Sequence, residues 1–215
     1  MVYATHTLAE GVLDPREEDQ HVFFHGMTWK DFELLLAIRG DAPGVRMYYL
    51  DGEIELMSPS SIHEYRKTTL ARLLEQWSLL TGTNLNGFGS WTLKDEPKEA
   101  GAEPDECYVI GDPKGRERPD LVIEVEWSRK GLAKREICRR LGVRELWTLQ
   151  RDLTLVVRVL DGERYEGSAK SRVLPKLDVA WLLAFVDQEP QSTAVRALHD
   201  EMTAKKKGAK RARRT

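Results

Sequence analysis

The spacing of apolar positions along the chain changes period several times, and each change predicts an element. Trp29, Phe32, Leu35 and Leu36 recur at helical spacing between Thr28 and Gly40, and Thr28 with Asp31 resembles a capping box, so a helix is predicted over residues 28–39. Alternation follows in VRMYYLDGEIELM, where Asp51-Gly52 between two strand-like runs predicts a tight hairpin over 43–57. Ser61-Ile62-His63-Glu64 reads as a second capping box. It opens a long helix over 61–80 with Leu70, Leu73, Leu74, Trp77 and Leu80 along one face and Gly82 as its stop.

Extended segments are predicted near 85–94, 105–110 and 119–127, then a helix near 131–141 ending at Gly142 and a strand at 144–150. The order from residue 61 to 150 is therefore α-β-β-β-α-β. Beyond it, LTLVVRVLDGERYEG predicts a hairpin turning at Asp161-Gly162, Asp178 caps a short apolar helix over 179–186, and residues 190–204 read as helix. Residues 1–26 lack sustained periodicity and read as an arm. The organisation expected is an arm (1–27), one mixed α/β (α+β) domain (28–187), a C-terminal helix (188–204) and a basic disordered tail (205–215).

Composition narrows the class. With 41% hydrophobic and 32% charged residues, the 215-residue chain has apolar material for a core and a heavily solvated surface. No apolar run approaches the roughly 18 residues that would span a bilayer, so no membrane partner is expected. Cys107 and Cys138 form no CxxC motif, and five scattered histidines offer no zinc spacing; a reducing, cytoplasmic location is expected. The net charge of −2 hides an asymmetry, because residues 205–215 hold seven of the 33 Lys and Arg and no acid. An acidic body with a basic end suggests a polyanionic partner.

Candidate chemistry concentrates in PDLVIEVEWSRKGLAKREICRRLG. On a strand through 120–127, alternation sends Leu121, Ile123, Val125 and Trp127 to one face and Asp120, Val122, Glu124 and Glu126 to the other. Three carboxylates on one face of an inner strand repel unless cations sit there. On the next helix Lys134 shares the apolar stripe of Ile137, Cys138 and Leu141, so its ammonium either snorkels to the sheet rim or reaches those carboxylates. The second arrangement is what phosphodiester hydrolysis uses: carboxylates hold divalent ions and a lysine steadies developing charge. Asp105, at a strand start in GAEPDECYVI, supplies a further carboxylate, and Asp105 with Glu124 suits a hard ion such as Mg²⁺. Glu53, just past the hairpin turn, fits a solvent-facing strand residue or a metal-site role, and His63 fits a structural or a functional one. Arg116, Arg118, Arg129, Lys130, Arg135, Arg139 and Arg140 cluster in sequence around the site and are candidates for a basic groove.

Taken in order, YYLDGEIELMSPSSIHEY, EPDECYVI, PDLVIEVEWS and LAKREICRRLGVRELW resemble the Uma-two group of restriction-endonuclease-like proteins, within the PD-(D/E)XK nuclease superfamily, over roughly residues 28–187. The resemblance implies a restriction-endonuclease-like core that binds Mg²⁺, with Mn²⁺ able to substitute, and hydrolyses DNA phosphodiester bonds. It assigns Asp105 and Glu124 as metal ligands and matches Glu53 and His63 to the group's DGE and SP…H segments. The superfamily's lysine, two residues after the glutamate, falls on Glu126, so the standard motif is broken. The group's lysine on the following helix matches Lys134.

The function expected is a metal-dependent endodeoxyribonuclease with catalytic residues Asp105, Glu124, Lys134, Glu53 and His63 and a metal-activated water as nucleophile. Nucleic acid, DNA in particular, is the expected partner, and a homodimer is expected by analogy with symmetric duplex-cutting assemblies. The alternative is a catalytically inactive nuclease-fold module that binds or assembles on nucleic acid. A hydrolase using paired carboxylates on sugars is a third possibility, but it leaves the lysine unexplained.

Overall fold

The structure is a computed structural model that describes residues 18–42, 44–127 and 131–212, with side chains to residue 205. Sixteen strands and helices follow in the order β1 (Gln20–His25), α1 (Trp29–Arg39), β2 (Arg46–Leu50), β3 (Glu53–Ser58), α2 (Ser61–Thr81), β4 (Leu85–Gly89), β5 (Leu93–Asp95), β6 (Ala100–Ala102), β7 (Glu106–Ile110), β8 (Leu121–Glu126), α3 (Lys134–Arg140), β9 (Glu145–Gln150), β10 (Leu155–Asp161), β11 (Arg164–Ser168), α4 (Val179–Leu183) and α5 (Gln191–Ala212). The strands form two sheets, one ordered β1-β3-β2-β6-β5 and the other β11-β10-β9-β8-β7-β4. The expected α-β-β-β-α-β order is present as α2-β4-β7-β8-α3-β9, with β8 and β9 parallel and the other paired strands antiparallel.

Local chemistry explains the boundaries. Thr28 caps α1 and Asp31 returns the bond by accepting the Thr28 N–H at 2.7 Å, completing the box. The cap of α2 is Ser60 rather than Ser61: Ser60 Oγ accepts the His63 N–H at 3.3 Å. Glu64, released from capping, pairs instead with Arg46 at 2.9 Å and Lys67 at 2.7 Å. Asp51 and Gly52 both hold positive φ (48° and 85°), the conformation a two-residue hairpin turn demands, and Asp-Gly tolerates it best.

Alternation on β8 separates two cores. Leu121, Ile123 and Val125 pack with Leu70, Leu74 and Trp77 of α2, Leu182 of α4 and Leu198 of α5. Val122 on the opposite face packs with Ile137 and Cys138 of α3 and with Tyr48 and Met57 of the smaller sheet. The far face of that smaller sheet is closed by Trp29 and Phe32 of α1 against Tyr49 and Ile54. Strand β8 thus hides one face against each layer, as a buried strand requires.

Several expectations change. The arm 1–27 contains β1, an edge strand antiparallel to β3; its exposed, weakly alternating residues gave no periodic signal. The extended run near 85–94 is two strands in different sheets, β4 beside β7 and β5 beside β6, because Gly89 turns the chain at φ 57° between them. Strand β6, AGA, is too short to show a period. Helix α5 runs on to Ala212, through most of the segment expected as a disordered tail; residues 213–215 lie outside the described residues.

Gly101 tests the seam between α1 and the smaller sheet. A Cβ there would stand 2.4 Å and 2.6 Å from two ring carbons of the fully buried Phe32. Gly101→Ala therefore overpacks the core and costs about 1–3 kcal/mol. The expected result is a lower midpoint in chemical denaturation, and an unchanged midpoint would contradict this packing.

Candidate active site

Glu124 sits in the middle of β8 on the face turned toward α3 and the smaller sheet, and it is 1% exposed. Its Oε2 accepts Lys134 Nζ at 2.8 Å and the Tyr48 hydroxyl at 3.2 Å. Lys134 is the first residue of α3, and its ammonium lies 4.5 Å from the centre of the Tyr48 ring. Asp105, just ahead of β7, is fully buried beside it. Asp105 Oδ2 accepts the Val125 N–H at 2.8 Å and stands 3.0 Å from His63 Nε2, while Oδ1 stands 2.9 Å from Arg46 Nε. His63 Nδ1 in turn bonds Asp19 at 2.9 Å, and Asp19 accepts the Ser60 N–H at 2.8 Å. Asp19, Asp105 and Glu124 thus meet Arg46, His63 and Lys134 in one buried, charge-balanced cluster.

The titration behaviour follows from that arrangement. Burial alone would raise Asp105, but His63, Lys134 and Arg46 outweigh it and hold the carboxyl well below the usual range. Glu124 lies on the other side of the balance: burial, reinforced by the neighbouring Asp105 charge, pushes it up to about 7 against the pull of Lys134. Lys134 is held charged, because Glu124, Tyr48 and Asp105 exceed the cost of its burial. Burial disfavours imidazolium at His63, yet Asp105 and Asp19 raise it to about 9. Two acids side by side are thus driven apart, one firmly ionised and one poised near neutrality.

Glu124 Oε1 is buried and makes no hydrogen bond, whereas Asp105 Oδ1 is held in the ion pair with Arg46 Nε at 2.9 Å. Unsatisfied buried carboxylate oxygens cost free energy unless a cation or water completes them. Glu124 Oε1, with the Asp105 carboxylate beside it, is oxygen chemistry that suits a hard divalent ion, which takes oxygen ligands and keeps several waters. Among the described residues no group of three or more His, Cys, Asp or Glu side chains is placed to hold a metal ion, so the remaining ligands would come from water and a substrate phosphate. A cavity of about 360 Å³ lies at the end of β8 and the start of α3, lined by Lys134, Asp19, His21, Trp127, Arg135 and Arg158 among others; it meets the cluster at Lys134 and Asp19, and neither Asp105 nor Glu124 lines it.

Of the residues singled out from the sequence, Asp105, Glu124, Lys134 and His63 come together. Glu53 does not join them: it is exposed beside the turn and pairs with His25 at 3.2 Å. The acid of β3 that points inward is Glu55, fully buried, whose oxygens take His21 Nδ1 and the Leu132 N–H, each at 2.6 Å. Glu53 and Glu55 share a face by alternation, and only depth within the fold separates them. Asp120 and Glu126 drop out as well. Asp120 is held by Arg116 at 2.5 Å and Arg144 at 2.9 Å, and Glu126 is exposed at the cavity mouth.

The proposed basic groove also dissolves in part, because most of its members are committed elsewhere. Arg116 holds Asp120, Arg118 donates to the Leu141 carbonyl, Arg139 pairs with Glu136, and Arg140 pairs with Asp51 and Glu136. Arg135 does line the cavity, and Arg129 and Lys130 lie outside the described residues. Sequence reasoning missed Asp19, His21, Arg46, Tyr48 and Glu55. The alternation in VRMYYLDGEIELM does put Arg46, Tyr48 and Glu55 on a common face, which was the available signal.

The order of elements is that of a restriction-endonuclease-like fold. The family whose sequence profile matches is Uma2, described as "Putative restriction endonuclease", over residues 29–185, and the chain belongs to this family. No curated protein matches the chain. A solved structure from Anabaena variabilis ATCC 29413, described as "a putative nuclease belonging to DUF820", is similar at 14% identity, covering 65% of this chain and 90% of that one, with a TM-score of 0.46. No helix among the described residues is long and apolar enough to cross a membrane.

The His63 environment yields a direct prediction for the metal-free protein. Because its folded pKa is raised from 6.5 to about 9, the stability it contributes is fully present below pH 6.5 and is lost as pH rises through about 9. Nuclear magnetic resonance should show one buried imidazole titrating near pH 9, moving down in Asp105→Asn. A His63 midpoint at or below 6.5 would contradict the geometry.

Proposed function

We propose that this protein is a divalent-metal-dependent endonuclease that hydrolyses DNA phosphodiester bonds. The observation that carries the reading is the buried Glu124 Oε1, which makes no hydrogen bond, beside the buried Asp105 carboxylate and a lysine ammonium 2.8 Å from Glu124. Mg²⁺ held there, or Mn²⁺ in its place, would neutralise phosphate charge and supply an acidified water as nucleophile. The chain's own residues have distinct tasks. Arg46, His63 and the Val125 N–H fix Asp105; Tyr48 fixes Glu124. Lys134, which also lines the cavity, places a permanent positive charge where a scissile phosphate would enter. Membership of the Uma2 family supports a nuclease acting on nucleic acid. DNA as substrate, a homodimer and a cytoplasmic location are part of the same proposal.

A second reading is a nuclease-fold module that binds nucleic acid without turnover. Favouring it, the cluster's own cations already balance its carboxylates, which lowers the demand for a metal.

Nicking of supercoiled plasmid at low salt with Mg²⁺ or Mn²⁺ separates the two. The wild type should cut, EDTA should stop it, and Glu124→Gln and Lys134→Ala, folded by circular dichroism, should each lose on the order of 10²-fold or more. Cleavage surviving in both variants would refute the site. A wild type that binds DNA yet never cuts it would establish the binding module.

A further inference from the structure

We propose that Arg158, with Arg135 lining the same cavity, forms a subsite for the phosphate that neighbours the scissile one on a nucleic-acid strand; this rests on the nuclease reading above. The register of the larger sheet sets Arg158 beside the site. β8 and β9 pair in parallel with Glu124 opposite Thr148, and β10 runs antiparallel to β9 with Arg158 opposite Leu146. Residues two apart on a strand share a face, so Glu124, Thr148 and Arg158 lie on the α3 side with Leu146, while Trp147, Val157 and Val159 enter the core behind. Arg158 Nη1 donates to Thr148 Oγ1 at 3.0 Å. Strands lie about 4.8 Å apart, so across the sheet the guanidinium is held within two spacings, about 10 Å, of the strand that carries Glu124.

No carboxylate answers the charge of Arg158. The side chain is half-buried, and among the described residues neither it nor the exposed Arg135 forms an ion pair. Nearby arginines are committed: Arg116 and Arg144 hold Asp120, and Arg139 and Arg140 hold Glu136. Other charged groups lining the cavity are also taken up, Lys134 by Glu124 and Asp19 by His63. Arg158 and Arg135 are left against one exposed acid, Glu126, an excess of cation. A guanidinium carries five N–H donors and stays protonated, so one neutral hydroxyl leaves most of its capacity for a ligand. Its planar fork matches two oxygens of a phosphate, and a volume of about 360 Å³ lies in the range of small-molecule sites. Lys134 lines the cavity too, so a strand whose scissile phosphate sits at Lys134 meets Arg158 and Arg135 with the phosphate next along.

The test is the salt dependence of binding to a labelled DNA duplex, read by fluorescence anisotropy with Ca²⁺ in place of Mg²⁺. Wild type is compared with Arg158→Gln, Arg158→Lys and Arg135→Gln, each folded by circular dichroism. Each lost phosphate contact should lower the slope of log K against log salt by about 0.9, so both glutamine variants flatten it and the double variant flattens it about twice as much. Arg158→Lys should keep the wild-type slope, and Arg158→Gln should bind about tenfold more weakly. In plasmid nicking with Mn²⁺ the loss should fall on KM, with kcat nearly unchanged. An unchanged slope in Arg158→Gln, or a loss confined to kcat, overturns the subsite. A wild type that shows the expected slopes yet never cuts overturns the nuclease reading alone, and one that binds no DNA overturns both.

Discussion

The structure depends on a carboxylate placed where no carboxylate is stable alone. Glu124 occupies the middle of β8, with a helical layer behind that strand and a second sheet in front. Removing a charge from water to such a position costs several kcal/mol unless a partner meets it. The partner is Lys134, and its position dictates much else: α3 must begin there, and Glu55 ties the residues just ahead of it by accepting the Leu132 N–H. A lysine two residues after Glu124 would have emerged on the same strand face; Glu126 stands there instead, exposed at the cavity mouth. Moving the ammonium to the helix keeps the charge and changes only its route.

The smaller sheet is best understood as the lid of this cluster. Its β2 delivers Arg46 to Asp105 and Tyr48 to Glu124, and its β3 and β1 deliver Glu55 and His21. Because three acids face three cations, no single residue can be removed without leaving a buried charge, the costliest kind of loss. Such a balance also lets neighbouring carboxyls differ, Asp105 held ionised by cations and Glu124 lifted by burial and by Asp105. That difference is what acid–base work at neutral pH requires.

Much of this was legible in the sequence because it is local. The Asp51-Gly52 hairpin, the α-β-β-β-α-β order, the inward face of Glu124 and the misfit of Lys134 in an apolar stripe each follow from spacing alone. What escaped involves residues far apart in the chain. Asp19 meets His63 across 44 positions, and Glu55 meets Leu132 across 77, and no period encodes such pairings. Period also fixes a face without fixing depth, so it does not separate the exposed Glu53 from the buried Glu55. The arginines misled for a related reason: sequence proximity showed where they cluster, whereas their directions were set by Asp120, Glu136 and Asp51.

The most direct test of the account is crystallography of the protein soaked with Mn²⁺, using the metal's anomalous scattering to locate it. The account predicts a peak beside Asp105 and Glu124, with Lys134 still paired to Glu124, and no peak there in Glu124→Gln. Mn²⁺ bound only at the cavity mouth near Glu126, or absent from the buried pair at saturating concentration, would contradict it.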